Sequence, residues 1–583
     1  MIVAACLFGV VARPSWALAD DASPTSPPLH QRIDALLPAA HVAALADDAE
    51  FLRRVCLDLV GEIPSAAEAR TFLIDPSPEK RTALVDRLLA DERFDRNMAE
   101  RLTVMLMERR LPADKPEIEK FEAYLRRSIA ANKPLDRLAA ELLNPDPDDE
   151  ASRDAAIFWT KRLENYGQNP VDLPGLTRDV GRLFLGVDLK CAQCHNHLTV
   201  KEWKQADYQG LFAFVGHTYI RKDVPHPAVG EKLVDKKVEF ASVFSGDKKE
   251  VGPKLMDLPE VEIPAYAKGA EWIDPPDRKR NFQGIPKFSP LKVLAEQLPR
   301  ADNERFTQNL ANRLWFLMTG RGVVHPLDLN HKENPPTVPD LLETLSAELV
   351  KTKFDLRSFV RQVALSRAYQ RSSRIEGDAK DMPGQFTVAQ LRRLSAEQLL
   401  RSMLVATGER DAVMKRSAGL VPKVVAKKND DGEEEDDEPA KPQAASAEPT
   451  FVELRKKFVA AFAAPPGEPE TEFNPTVASA LFVLNDPAVV AWGNRRDGNL
   501  IDRLAKIDDA GKLADELYLS VLTRFPTDDE RTEVREHLSR VTTTKREPRG
   551  SAPGPDGAAH ARDGAIGELV WALLASTEFA VNH

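Results

Sequence analysis

Cysteine is scarce in this chain: four in 583 residues, at Cys6, Cys56, Cys191 and Cys194. So few thiols in a chain of this size exclude a disulfide-stapled scaffold. Long hydrophobic runs are also missing. Beyond the first residues, nothing reaches the roughly 18 uninterrupted apolar residues of a membrane span, so no transmembrane segment is expected. Nor is there a basic excess. The formal net charge is −11, and eight of the acids sit in Asp430, Asp431 and Glu433 to Glu438, leaving the rest of the chain near −3. Without a positive field to attract phosphate backbones, nucleic acid is not an expected partner. Finally, no nucleophile elbow, P-loop, dinucleotide fingerprint or H-E-x-x-H run occurs, so no catalytic residue is assigned and an enzymatic role has no motif behind it.

What is present is ordinary globular material, 43% apolar and 29% charged, in a chain too long for one core. The first nineteen residues read as an export signal, with an apolar stretch from Ile2 to Val11 and Ala17-Leu18-Ala19 as the cleavage site before Asp20. The usual positive residues before that stretch are missing. Cys6 after Val3-Ala4-Ala5 has the look of a lipoprotein processing site, but lacks the leader such a site needs. The mature protein is expected in the periplasm or at the cell surface.

The pattern is mainly α, with several domains. Residues 29–220 show short amphipathic helices. Ser65 with Glu68 forms a capping box, and Ser77 with Pro78 opens a helix that buries Leu84, Val85, Leu88 and Leu89. Cys56 falls at an apolar helical position and reads as a small buried hydrophobe. Residues 221–286 change character: Val234, Val238, Phe240, Val243, Phe244 and the run Val261-Glu262-Ile263-Pro264 predict an irregular insertion with a few short strands. Helical periodicity resumes over 287–583. Phe306, Leu310, Leu314 and Leu317 make one stripe and Leu341, Leu342, Leu345 and Leu349 another. Asp355 is the expected N-cap of a further helix, and Ser395 with Gln398 and Thr527 with Glu530 give two more capping boxes. Lys423 to Thr450 interrupts this domain with charged and small residues, a composition that predicts a disordered acidic insertion. Asn303, Arg305, Asn309, Asn312 and Arg313 interleave with Trp315 and Phe316, a pattern of either a polar groove or a buried network joining helices; the network is the simpler reading.

The chemically specific feature is Cys191-Ala192-Gln193-Cys194-His195. Covalent attachment of c-type haem needs two thiols for the vinyl groups of one porphyrin edge and an adjacent imidazole for the iron, and C-x-x-C-H supplies all three within one turn. Cys191 and Cys194 are thus the expected thioether anchors and His195 the proximal iron ligand. Met256 and His217 are the candidates for the opposite face; His226 is also near in sequence, whereas His197 follows His195 too closely to reach around the ring. Three readings compete with haem: zinc held by the two thiols with His195, His197 or His217, which would need a remote ligand; a redox-active dithiol; and an inert disulfide. A haem protein would transfer electrons to a redox or surface partner. Under the other readings the chain is a secreted structural or binding protein, and a role as an accessory to exported hydrolases has no residue constellation behind it.

Phe51-Leu52-Arg53-Arg54-Val55-Cys56-Leu57-Asp58-Leu59-Val60-Gly61-Glu62-Ile63-Pro64, and Arg182-Leu183-Phe184-Leu185-Gly186 leading into the cysteine motif, resemble the planctomycete cytochrome-type domain. Asn303-Glu304-Arg305-Phe306, Asn312-Arg313-Leu314-Trp315, Gly320-Arg321-Gly322-Val323-Val324, Ser366-Arg367-Ala368-Tyr369-Gln370 and the closing stretch from Leu573 to His583 are similar to the planctomycete-specific domain that usually follows it. The resemblance implies an exported protein of undefined role, with haem inferred from the same cysteine motif. Two positions depart from the pattern: Cys56 stands where the family usually has Tyr, and Pro336-Thr337-Val338-Pro339 replaces a run containing His.

Overall fold

A computed structural model describes residues 26–165, 170–419, 449–470, 477–544 and 555–583. The expected signal at 1–19 lies outside the described residues, as does the acidic insertion except at its very end. There Thr450 caps the Phe451–Phe462 helix, reciprocally with Glu453. Among the described residues, 25 α-helices against eight short strands make the fold mainly α. None of the described helices is long and apolar enough to cross a membrane.

Local signals placed several of the helices. The capping boxes of Ser65 with Glu68 and Ser395 with Gln398 form in full, Thr527 and Glu530 exchange the same two bonds, and Asp355 accepts from Ser358 N–H. The helix expected from Ser77 begins two residues later, as Lys80–Ala90, because the Ser77 hydroxyl accepts from Glu79 N–H and closes a turn first. Its stripe of Leu84, Val85, Leu88 and Leu89 is buried as expected.

Small antiparallel pairs occupy the expected insertion, the first strand starting three residues before its expected boundary at 221. β1 (Thr218–Ile220) pairs with β2 (Val229–Glu231), β3 (Val238–Ala241) with β4 (Lys248–Val251), and β5 (Trp272–Asp274) with β6 (Ile285–Pro286). Val238 and Phe240 fall in β3 as expected. Val234 lies outside any strand, Val243 and Phe244 sit in a turn, and the Val261 to Pro264 run stays irregular. Its Val261 N–H bonds to Pro253 C=O, while Pro264 has no N–H to give a ladder.

The buried apolar residues form two clusters. The larger runs from Leu29 to Phe386, with Leu519 joining it, and so draws on both helical regions. The smaller gathers residues from Leu394 to Phe579 and takes in Leu57 and Ile63 from far upstream. The Asp48–Val60 helix connects them: Phe51, Leu52, Val55, Cys56 and Leu59 enter the first cluster, Leu57 the second. Asp47 caps this helix by accepting from Glu50 N–H, and Gly61 ends it at φ 76°. A side chain on Gly61 would be strained by that φ and would strike Asn97, its Cβ 2.4 Å from Oδ1.

That helix also buries charge. Arg54 donates to Glu50 at 2.7 Å and to the carbonyls of Tyr369, Arg371 and His583. Arg53 donates to the Val521 and Phe579 carbonyls, and its burial brings the guanidinium down to about 10. Asp58, fully enclosed, accepts from Tyr369 Oη and Arg392 Nη2, each at 2.7 Å, and from Asn582 Nδ2 at 3.0 Å. A second buried group extends the seam: Arg109 pairs with Glu397 and Glu470, and Arg455 with Glu122 and Glu397. Burial alone would raise the Glu397 carboxyl, but Arg109, then Arg455, hold it far below the usual range.

Removing one member of such a set strands the others in a dry interior, at a cost of about 3–5 kcal/mol. Asp58→Ala is therefore expected to lower the unfolding free energy by about that amount in urea titrations; a loss under about 1 kcal/mol would show that Tyr369, Arg392 and Asn582 find other partners. A second expectation concerns Glu231. Burial raises its carboxyl to about 7, against hydrogen bonds from Ser289 and Leu291 N–H that favour the ionised form. Since the unfolded chain ionises it near 4.5, its contribution to stability is complete below that pH and fades as pH rises through about 7. Glu231→Gln should flatten the stability profile across this window, and an unchanged slope would count against a neutral Glu231.

Candidate functional site

The cysteine motif is delivered by the Leu173–Val180 helix, a wide π-turn over Gly181–Leu185, and Gly186 at φ 69°. Gly186 is required twice over: by its φ, and because a Cβ there would lie 2.9 Å from Asn309 Oδ1. Asn309 donates to Leu183 C=O, Asn312 donates to Val324 C=O and accepts from Val324 N–H, and Arg313 bonds Arg182 C=O and Asp328. Asn309, Asn312 and Arg313 of the Glu304–Thr319 helix thus form a buried network, whereas Arg305 pairs with Asp257 at the surface. The chain leaving Gly186 is pinned to the same region: Val187 bridges Leu329, and Asp188 N–H donates to Asp328 C=O at 2.9 Å.

Cys191–Gln193 then form one turn of 3-10 helix. Side chains three apart eclipse in this geometry, so Cys191 and Cys194 leave the backbone on one side. Both thiols are free and exposed, while Ala192 between them is fully buried and anchors the turn in the main core. Gln209, on the Gln205–Val215 helix, donates to Gln193 C=O, and the Gln205 N–H donates to Asn196 Oδ1. Val243 N–H, from the turn between β3 and β4, donates to Cys194 C=O at 3.2 Å.

His195 Nδ1 lies 2.7 Å from Asn196 C=O. A carbonyl only accepts, so Nδ1 carries the proton and Nε2 keeps the lone pair, the tautomer that imidazole ligands of metals adopt. Its ring lies against Phe244, centroids 4.8 Å apart. Phe244 and its neighbour Val243, 72% and 68% exposed, place an apolar edge in solvent beside this ring, and Leu198, three residues on from His195, is 73% exposed. Two free thiols on one face, an imidazole with Nε2 available and an apolar rim fit covalently bound haem. Among the described residues, no group of three or more His, Cys, Asp or Glu side chains is gathered for a metal ion, so the four donors of a closed zinc site are not assembled.

His197 is occupied otherwise. Its Nδ1 accepts from Val200 N–H at 2.9 Å and from Thr199 N–H, and its ring meets the edge of Trp203, which in turn meets His331 at 5.1 Å. The other candidates stand apart from the motif's ring contacts. Met256 is 7% exposed within the main core, on a segment held where Lys254 N–H bonds Gly210 C=O. His217 is half-buried just before β1, two residues past the end of the Gln205–Val215 helix. Burial, then the Lys232 charge, lowers the His217 pKa. His226 lies between β1 and β2. Cys56 is buried, its thiol pushed far above the usual range by desolvation. Sequence reading missed the rim and His331. Ser242-Val243-Phe244-Ser245-Gly246 carries turn residues around an apolar pair, which was the available signal; His331 meets Trp203 only through the fold.

Burial, then the neighbouring His331, lowers the His197 pKa. The turn it caps needs a neutral Nδ1, so its stabilisation is intact above the ordinary histidine value and lost as pH falls through the lowered one. In NMR titrations the Thr199 and Val200 amide signals should move together, at a pH below that of an unperturbed histidine; movement at or above the ordinary value would refute this cap.

Two family comparisons bear on the chain. PSCyt2, described as a protein of unknown function (DUF1549), matches residues 33–219 and includes the cysteine motif. PSD1, also described as a protein of unknown function (DUF1553), matches residues 292–538 and includes Asn309, Asp328 and His331. No curated protein and no solved structure matches the chain. With both matches in that order, the chain belongs to the family of proteins built from a PSCyt2 domain followed by a PSD1 domain.

Proposed function

We propose that this chain is an exported c-type haem protein that passes electrons to a redox or surface partner. One observation carries the reading: two free, exposed thiols on a single 3-10 turn stand beside an imidazole whose Nδ1 is tied to Asn196 C=O. Haem bound there supplies one-electron chemistry. Cys191 and Cys194 anchor it, His195 presents Nε2 to the iron, and the Asn196 carbonyl fixes the ring and raises its basicity. Met256 and His217 are the candidates for the sixth position. Met256 lies on the segment tied to Gly210, one residue from the Gln209 that touches the motif. It would have to leave the core to serve.

The test is expression of the full chain with its leader in a host carrying a c-type cytochrome maturation system. The expected product absorbs in the Soret region and carries the mass of one haem through denaturation. Cys191→Ala with Cys194→Ala abolishes the covalent increment, and His195→Ala changes the iron spectrum. Of Met256→Ala and His217→Ala, whichever alters the axial-ligand signature names the sixth ligand. Colourless protein without added mass overturns the proposal, and bound zinc or a Cys191–Cys194 disulfide would replace it.

A further inference from the structure

We infer that the turn joining β3 and β4 is the wall of the haem site, with Phe244 positioning the His195 ring and shielding the iron from water. The inference rests on the haem reading above and assigns a role to a hairpin outside both family matches.

This hairpin has no core of its own to build. The residues of β3 alternate between half-buried and exposed, and those of β4 are exposed until Val251. It is nonetheless fixed to the cysteine motif. Val243 N–H donates to Cys194 C=O, and Gln205 Nε2, from the helix under the motif, donates to Ala241 C=O at 3.1 Å. Between these bonds the turn closes through Gly246 N–H to Ser242 C=O, and Phe244 N–H donates to the Ser242 hydroxyl. A tip held this firmly would ordinarily carry polar residues. It carries Val243 and Phe244, both about 70% exposed, and Phe244 lies against the ring of the proposed iron ligand.

The occupant follows from where these side chains converge. A second copy or a membrane would need an apolar face of its own, whereas this tip is fixed to the motif itself: Phe244 lies against the His195 ring and Val243 N–H is bonded to Cys194 C=O. Cys191, Cys194 and His195 would hold the porphyrin, and Phe244 is the ring shown packed against that imidazole. Apolar cover excludes water from the iron, and solvent exposure is one of the protein's levers on reduction potential. Phe244 is accordingly a positioning residue.

The experiment uses full-length matured protein and compares wild type with Phe244→Ala, Phe244→Leu and, as a remote control, Ile273→Ala on β5, equally exposed at 69%. Reduction potentials are read by spectroelectrochemistry and the His195 ring signals by NMR. Phe244→Ala should lower the potential by about 59 mV, the equivalent of a tenfold change for one electron, and shift the His195 ring signals. Phe244→Leu should keep most of the potential, and Ile273→Ala all of it. Haem bound covalently with an unchanged potential in Phe244→Ala overturns this inference and leaves the haem reading standing. A wild type that takes up no haem overturns both. A change in oligomeric state without a change in potential would assign the rim to a second copy instead. Phe244 is largely exposed, so the variants are expected to fold, and unchanged far-UV circular dichroism checks it.

Discussion

The two halves of this molecule are joined through one buried helix, Asp48–Val60, whose charged side chains bond to distant stretches of chain. Arg53, Arg54 and Asp58 reach the carbonyls of Tyr369, Arg371, Val521, Phe579 and His583 and the side chains of Tyr369, Arg392 and Asn582. A buried guanidinium is costly unless most of its donors are met, and those of Arg53 and Arg54 are met largely by carbonyls of the later half of the chain, so the two specify one another. The apolar clusters repeat the dependence, since Leu57 and Ile63 pack among residues more than three hundred positions away. The family matches mark two sequence units, but the physical unit is the pair.

How much of this could be read in advance depended on how local each determinant is. The capping boxes at Ser65 and Ser395, the Asp355 cap and the leucine stripes involve residues within a turn or two, and they formed as their spacing predicts. The Ser77 start was displaced because a serine hydroxyl can close a turn as well as cap a helix. The Val261 to Pro264 run has strand-forming side chains but a proline in place of a donor, and it pairs with no strand. The ion pairs of Arg109, Arg455 and Asp58 join residues far apart in sequence, and nothing in the spacing of one partner announces the other.

The site divides in the same way. Cys191, Cys194 and His195 could be singled out because they are adjacent in sequence, and Cys191–Gln193 fold as one 3-10 turn that leaves both thiols exposed. The apolar rim was written in the sequence as strand-like residues and became a turn tip, because glycine and serine flank it and no neighbouring strand was available. The Trp203 contacts with His197 and His331 belong to tertiary structure alone.

The bond from Asp188 N–H to Asp328 C=O has a consequence in time as well as in space. About 140 residues separate the two, and chains are made at roughly 5–20 residues per second, so the cysteines emerge roughly 7–28 s before the backbone that will hold them. During that interval they sit on a growing chain without its scaffold. Any chemistry that must reach both sulfurs before the fold closes around Ala192 has those seconds in which to act.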